Sequence, residues 1–104
     1  MLRITYILNT VFEWDPRKAE ANAVKHGVSF DDAVTVFLDP DALDGPDLQH
    51  SSAEARSRRL GRSADGRVLM VAYTIRRSGD AEAIRLISAR RASRRERAAY
   101  ASKD

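Results

Sequence analysis

A chain of 104 residues, 43% apolar and 32% charged, holds apolar matter for one compact core and too little for two. Cysteine is absent and histidine occurs only at 26 and 50, which excludes a disulfide framework, a thiolate metal site and a structural zinc held by histidine alone. No apolar run approaches the ~20 residues of a membrane helix, and Met1 to Leu8 is too short and too broken by polar residues for a secretory signal. A single soluble, cytoplasmic domain over residues 1–104 is the expectation.

The net charge of +3 hides an asymmetry. Residues 1–55 carry 4 Lys/Arg against 10 Asp/Glu, and residues 56–104 carry 14 against 5, 13 of those 14 being arginine. Arginine grips a phosphate with a planar fork, which lysine cannot do. The basic half therefore reads as a nucleic-acid footprint, with a solubilising surface or an acidic protein partner as the alternatives.

In chain order, Leu2 to Trp14 is rich in Ile, Thr, Tyr and Val and predicts a strand. Asp15-Pro16 opens a helix with an N-cap and a first-turn proline, and Gly27 closes it. Ser29 caps a second helix, in which Phe30, Ala33, Val34 and Phe37 form one buried stripe and Asp39-Pro40 is the stop. Residues 39–50 predict a polar loop with room for one short strand. Ala55 to Ser63 predicts a strand, and Ala64-Asp65-Gly66 a tight turn. Val68 to Ile75 predicts a central strand covered on both faces, and Ala83 to Ala89 a last strand after the Ser78-Gly79-Asp80 turn. Ser93 and Glu96 form a capping box for a final helix, whose first turn places Arg94 and Arg95 against the helix dipole. Helices and antiparallel hairpins in this order predict an α+β sandwich.

The motifs Phe12-Glu13-Trp14-Asp15-Pro16-Arg17-Lys18, Asn22, Lys25-His26-Gly27-Val28-Ser29-Phe30, Ala33 and Val36-Phe37-Leu38-Asp39-Pro40 resemble the front of the BrnT toxins. His50-Ser51, Glu54, Arg56, Gly61-Arg62-Ser63, Gly66-Arg67-Val68-Leu69, Ile84 to Arg90, Glu96-Arg97 and Tyr100 resemble the remainder, in order and spacing. The resemblance implies a RelE-like fold, an antiparallel sheet covered by two N-terminal helices with a C-terminal helix. It implies an endoribonuclease toxin of a type II toxin–antitoxin pair, with no cofactor. It also implies a BrnA-like antitoxin in a two-plus-two heterotetramer, with operator DNA reached only through that antitoxin. Members of the family begin close to the Phe-Glu-Trp-Asp motif. The ten residues before Val11 therefore read either as an N-terminal extension or as a lengthened first strand.

Cleavage by the ribose 2′-OH needs a base, an acid and cations on the phosphorane, and no protein nucleophile. Arg62 and Arg90, at strand ends, are the expected phosphate clamps, against a salt-bridge role. Lys25 and His26 suit the C-terminus of a helix, and His26 also suits proton transfer. Glu13 is a candidate base or an ion-pair partner. Tyr100 is a candidate proton donor or stacking ring, or it packs the last helix onto the sheet. Arg67, Arg85, Arg91, Arg94 and Arg95 are expected to touch the RNA backbone. His50 and Glu54 lack a third ligand, so no metal site is expected; Trp14 and Tyr73 read as core. A nucleic-acid binder without catalysis, or a protein-interaction domain, would use the same basic face.

Overall fold

The computed structural model describes residues 2–7, 9–48 and 55–102; His50, Ser51 and Glu54 lie outside them. Strands β1 (Arg3–Ile7) and β2 (Thr10–Trp14) are followed by helix α1 (Pro16–His26), the short helix α2 (Phe30–Ala33) and a 3₁₀ helix (Val34–Leu38). Strands β3 (Leu43–Pro46), β4 (Ser57–Arg62), β5 (Val68–Ser78) and β6 (Ala81–Arg91) precede helix α3 (Arg94–Ala101). The six strands form one sheet in the order β1-β2-β6-β5-β4-β3.

Three expectations about strand pairing and helix type change. The first predicted strand is a hairpin, its two arms pairing from Arg3 opposite Trp14 to Ile7 opposite Thr10. The sheet is mixed rather than antiparallel, because β2 runs parallel to β6, with Phe12 opposite Ile84 and Glu13 opposite Arg85. The second helix is α-helical for only four residues before it tightens to 3₁₀. The cause is local: Val34, Thr35 and Val36 are consecutive β-branched residues, and the Thr35 hydroxyl donates to the Asp32 carbonyl at 2.6 Å. The tighter winding also turns Val36 into the core, outside the predicted stripe.

The caps act as read. Asp15 accepts from the Arg17 N–H, Ser29 from the Asp32 N–H, and Ser93 and Glu96 complete their box. Gly27 ends α1 at φ +68°, where a side chain would be strained.

Register decides which side chains share a face. Arg59, Val71 and Ala89 align across β4, β5 and β6, and so do Leu60, Met70 and Arg90 one step along. Successive rows point to opposite faces. The first row belongs to the face on which α1, α2 and the 3₁₀ helix pack. There Phe12, Trp14, Val28, Phe30, Val36, Leu69 and Val71 form the core, with Trp14 edge-on to Phe30 at 5.9 Å. Each such side chain contributes roughly 1.5–3 kcal/mol by leaving water. Asn22 fastens α1 to β6. Its amide nitrogen donates to the Val28 and Ala89 carbonyls at 3.0 and 2.8 Å, and its oxygen accepts from the Ala89 N–H at 3.1 Å.

Among the described residues the other face is covered in two places: Tyr100 and Ala92 pack with Leu60, Val68 and Met70 at one end, and further along Thr74 is buried and its hydroxyl donates to the Ala55 carbonyl at 2.8 Å. The cover expected on both faces of β5 is therefore complete at Leu69 and Val71 on the helix side and only partial on the other, between these two places. Leu69 and Val71 are buried, while Val68, Met70 and Ala72 remain partly exposed.

Candidate nucleic-acid interface

The open face carries a cleft of about 360 Å³ lined by Asp47, Arg56, Arg58, Met70, Ala72, Ile87, Ser88 and Arg90. Its floor follows from the register: Ala72 pairs with Ser88 and Tyr73 with Leu86, so Ile87 occupies an irregular extra step. Three arginines surround an apolar floor of Met70, Ala72 and Ile87, an arrangement suited to phosphates at the rim and a base or sugar below. Arg58 has no side-chain partner among the described residues. Arg90 is held by Glu96, its two terminal nitrogens lying 2.7 and 3.0 Å from the two carboxylate oxygens. Those hydrogen bonds, with help from the Ser93 backbone N–H, pull the Glu96 carboxyl down to about 2. The Arg90 guanidinium is raised by the same bonds.

A second cleft, of about 500 Å³, is bordered by Arg62, Gly66, Arg67, Val68, Arg91, Arg97, Tyr100 and Ala101. Arg62 and Arg90 therefore share a sheet face but line different clefts, with α3 between them. Glu96 holds Arg90, and Tyr100, one helical turn on, lies under Arg62 with the guanidinium carbon 5.6 Å from the ring centre. The Tyr100 hydroxyl donates to Asp39 at 2.6 Å, and that bond, followed by burial, raises its pKa.

The remaining sequence candidates occupy other settings. Glu13 pairs with Arg85 across the parallel β2–β6 junction, its Oε2 3.1 Å from Nε and 2.9 Å from a terminal nitrogen. Arg67 ties the β4–β5 turn to the helices: it donates to the Gly27 carbonyl at 3.0 Å and to Asp32 at 3.2 Å. Its Nε is 3.2 Å from Asp65 but outside hydrogen-bond geometry. Lys25 and His26 form the basic last turn of α1, Lys25 exposed and His26 half-buried. Through the Arg67 bond to Gly27 that helix end reaches the edge of the second cleft. Arg91, Arg94 and Arg95 are exposed and have no side-chain partner among the described residues. No cluster of three potential metal ligands occurs among the described residues, and no helix there is long and apolar enough to cross a membrane.

Sequence reasoning passed over Asp39, Asp47 and Arg58 as site residues and used Arg56 only as part of a motif. The signal for the arginines was present: Arg56, Arg58, Leu60 and Arg62 alternate, and alternation in a strand means one face. Asp47 was hidden in the acidic loop, but it is 5% exposed and lines the first cleft.

This is an α+β fold with α1, α2 and the 3₁₀ helix on one sheet face and arginine-lined clefts beside α3 on the other, a concentration of positive charge that complements a polyanion. A family model described as the ribonuclease toxin BrnT of type II toxin–antitoxin systems matches residues 14–96, and the chain belongs to that family. No curated protein matched the sequence.

Proposed function

We propose that this toxin is a metal-independent endoribonuclease with a RelE-like arrangement of sheet and helices. It cuts RNA laid across the open sheet face in the cytoplasm and so inhibits translation and growth. The carrying observation is the cleft in which Arg56, Arg58 and Arg90 surround Met70, Ala72 and Ile87. RNA supplies its own 2′-OH as nucleophile, so the protein has to bind the strand, move two protons and neutralise the phosphorane. Arg90 and Arg58 from the first cleft and Arg62 from the second provide the positive charge. The carboxylate that lines the first cleft is Asp47, and its position there makes it the proposed base, whereas Glu13 lies at the β2–β6 junction beside Arg85.

The family's antitoxin partner is read as a BrnA-like protein that covers the arginines, in a two-plus-two assembly that meets operator DNA only through the antitoxin. The decisive test is cleavage by purified toxin in excess EDTA, with the product ends identified. Fragments ending in a 2′,3′-cyclic phosphate or 3′-phosphate, with 5′-hydroxyl partners, are expected. Cleavage that stops in EDTA, or that leaves 3′-hydroxyl ends, overturns the mechanism.

One observation favours a second reading. Arg90 is already occupied by Glu96, as it would be in a domain that only binds nucleic acid or an acidic protein. That reading requires RNA binding with no cleavage at any enzyme concentration.

A further inference from the structure

We infer that Asp39 is a positioning residue for Arg62, and through it for RNA cleavage; the inference rests on the reading that Arg62 contacts the scissile phosphate. One oxygen of Asp39 accepts both from the Arg62 backbone N–H at 2.7 Å and from the Tyr100 hydroxyl at 2.6 Å. The other accepts from the Asp41 N–H at 2.9 Å. The carboxylate thus holds the backbone that carries Arg62 and the ring beneath its guanidinium.

The local sequence explains why the carboxylate is there. Pro40 disfavours a helical conformation at the residue before it, and Asp39 is extended, with φ −77° and ψ 113°, just where the 3₁₀ helix ends. Gly61 lets β4 come close: a Cβ there would lie 3.0 Å from the Ala42 Cβ and 3.3 Å from the Asp39 carboxylate. The Val36-Phe37-Leu38-Asp39-Pro40 and Gly61-Arg62-Ser63 motifs are therefore two halves of one contact.

The consequence for Arg62 is geometric. Its guanidinium lies over the Tyr100 ring and gives one N–H to the Gly66 carbonyl at 2.9 Å. A cation over an aromatic face is attracted but free to slide. Fixing the ring from below by Asp39 and the stem from its own N–H removes that freedom. Stabilising a phosphorane requires donors held to within about half an ångström, so loose placement lowers the chemical step more than binding. Tyr100, its hydroxyl donating to Asp39 and also interacting with Arg62, serves here as a platform.

The test combines kinetics with a direct view of Arg62. Purified Asp39→Ala, Asp39→Asn, Tyr100→Phe, Arg62→Ala and the Asp39→Ala/Arg62→Ala double variant are compared in single-turnover RNA cleavage, each with a melting curve. Asp39→Ala should slow the rate at saturating enzyme by about ten- to a hundredfold, while half-saturation moves by less than about threefold. Asp39→Asn, which keeps one acceptor oxygen, should recover part of the loss. The double variant should be no slower than Arg62→Ala; a further loss there would place Asp39's effect elsewhere and overturn the inference. Independently, the Arg62 Nε–H signal, shifted by the Tyr100 ring current, should move in Asp39→Ala and Asp39→Asn. If that signal does not move, the positioning role is overturned whatever the rates. A normal rate in Arg62→Ala would instead overturn the phosphate reading of Arg62.

Discussion

Arg90 and Glu96 form a two-pronged ion pair, with separations of 2.7 and 3.0 Å, between the last strand and the first turn of the last helix. Glu96 also accepts the Ser93 backbone N–H at 2.8 Å, so one carboxylate both caps α3 and holds an arginine of the cleft. RNA that takes Arg90 must compete with Glu96, and the helix end senses that competition.

The pair has a pH signature. The Glu96 carboxyl titrates at about 2 in the folded chain, against an ordinary value of 4.5. A depressed carboxyl contributes stability above its unfolded pKa, and the contribution is lost as pH falls through the folded value. Because both partners are partly solvated, the contribution is on the order of 1–2 kcal/mol rather than the full value of the shift. Unfolding of the wild type and Glu96→Gln by urea should therefore differ at pH 7, and the difference should fade between pH 4.5 and 2. A gap that persists at the acid end would assign the stabilisation to the cap rather than to the charge pair.

Two arginines separate contact from construction. Arg58 lines the cleft with no side-chain partner among the described residues, whereas Arg67 joins Gly27 and Asp32. Arg58→Ala should leave the melting curve unchanged, weaken RNA binding and lower the salt slope of binding by about one. Arg67→Ala should destabilise the fold by about 1–3 kcal/mol, because it strands a carbonyl and a half-buried carboxylate. Melting and filter binding across a salt series distinguish the two; equal behaviour would contradict the division.

Asn22 is the polar tie in the helix layer. Asn22→Ala removes its three hydrogen bonds to Val28 and Ala89 and should cost about 2–4 kcal/mol. Denaturant unfolding checks it, and a cost under about 1 kcal/mol would mean that water replaces the side chain readily.

The local punctuation of this fold was legible in the sequence, and its long-range pairing was not. Asp15, Ser29 and Ser93 act through neighbours two or three residues away, so their caps could be read directly. The parallel pairing of β2 with β6 joins residues 72 apart, and nothing near Glu13 announces Arg85. The short arms of the β1–β2 hairpin were merged because β-rich composition continues through the reversal. Residue type pointed to the basic half, whose arginines line both clefts, but it could not separate arginines that build from arginines that are open. That distinction depends on Asp32, Glu13, Asp44 and Glu96, which fold to Arg67, Arg85, Arg59 and Arg90.

The first strand lies outside the family match, yet it pairs along its whole length with β2, and Ile7 packs on the core. Its outward residues Ile4 and Tyr6 are 55% and 70% exposed, so it buries little. A chain starting at Val11 should still fold around Phe12 and Trp14, but with a lower melting midpoint and greater aggregation, because the edge of β2 is bared. Melting and light scattering at matched concentration check this. Unchanged solubility would show that β1 is not needed to cover the edge, and failure to fold would show that Ile7 belongs to the essential core.

The last prediction concerns the antitoxin. An inhibitor that covers Arg58, Arg91, Arg94 and Arg95 must bring acceptors, because a buried cation without a partner costs several kcal/mol. It should therefore present an acidic segment, and association should slow steeply as salt rises. Charge reversal locates the contact, provided that the reversed residues do not build the fold. Asp44 holds Arg59 and Tyr73, and Asp47 is buried, so neither can serve as a control. Glu20 and Asp41 are exposed and make no side-chain ion pair among the described residues. Arg94→Glu with Arg95→Glu should slow association with the antitoxin by about tenfold or more at low salt, and Glu20→Lys with Asp41→Lys should not. Association rates measured by stopped flow at several salt concentrations decide it. The reverse pattern would place the antitoxin on the acidic helical side, and inhibition would then have to work without covering the arginines.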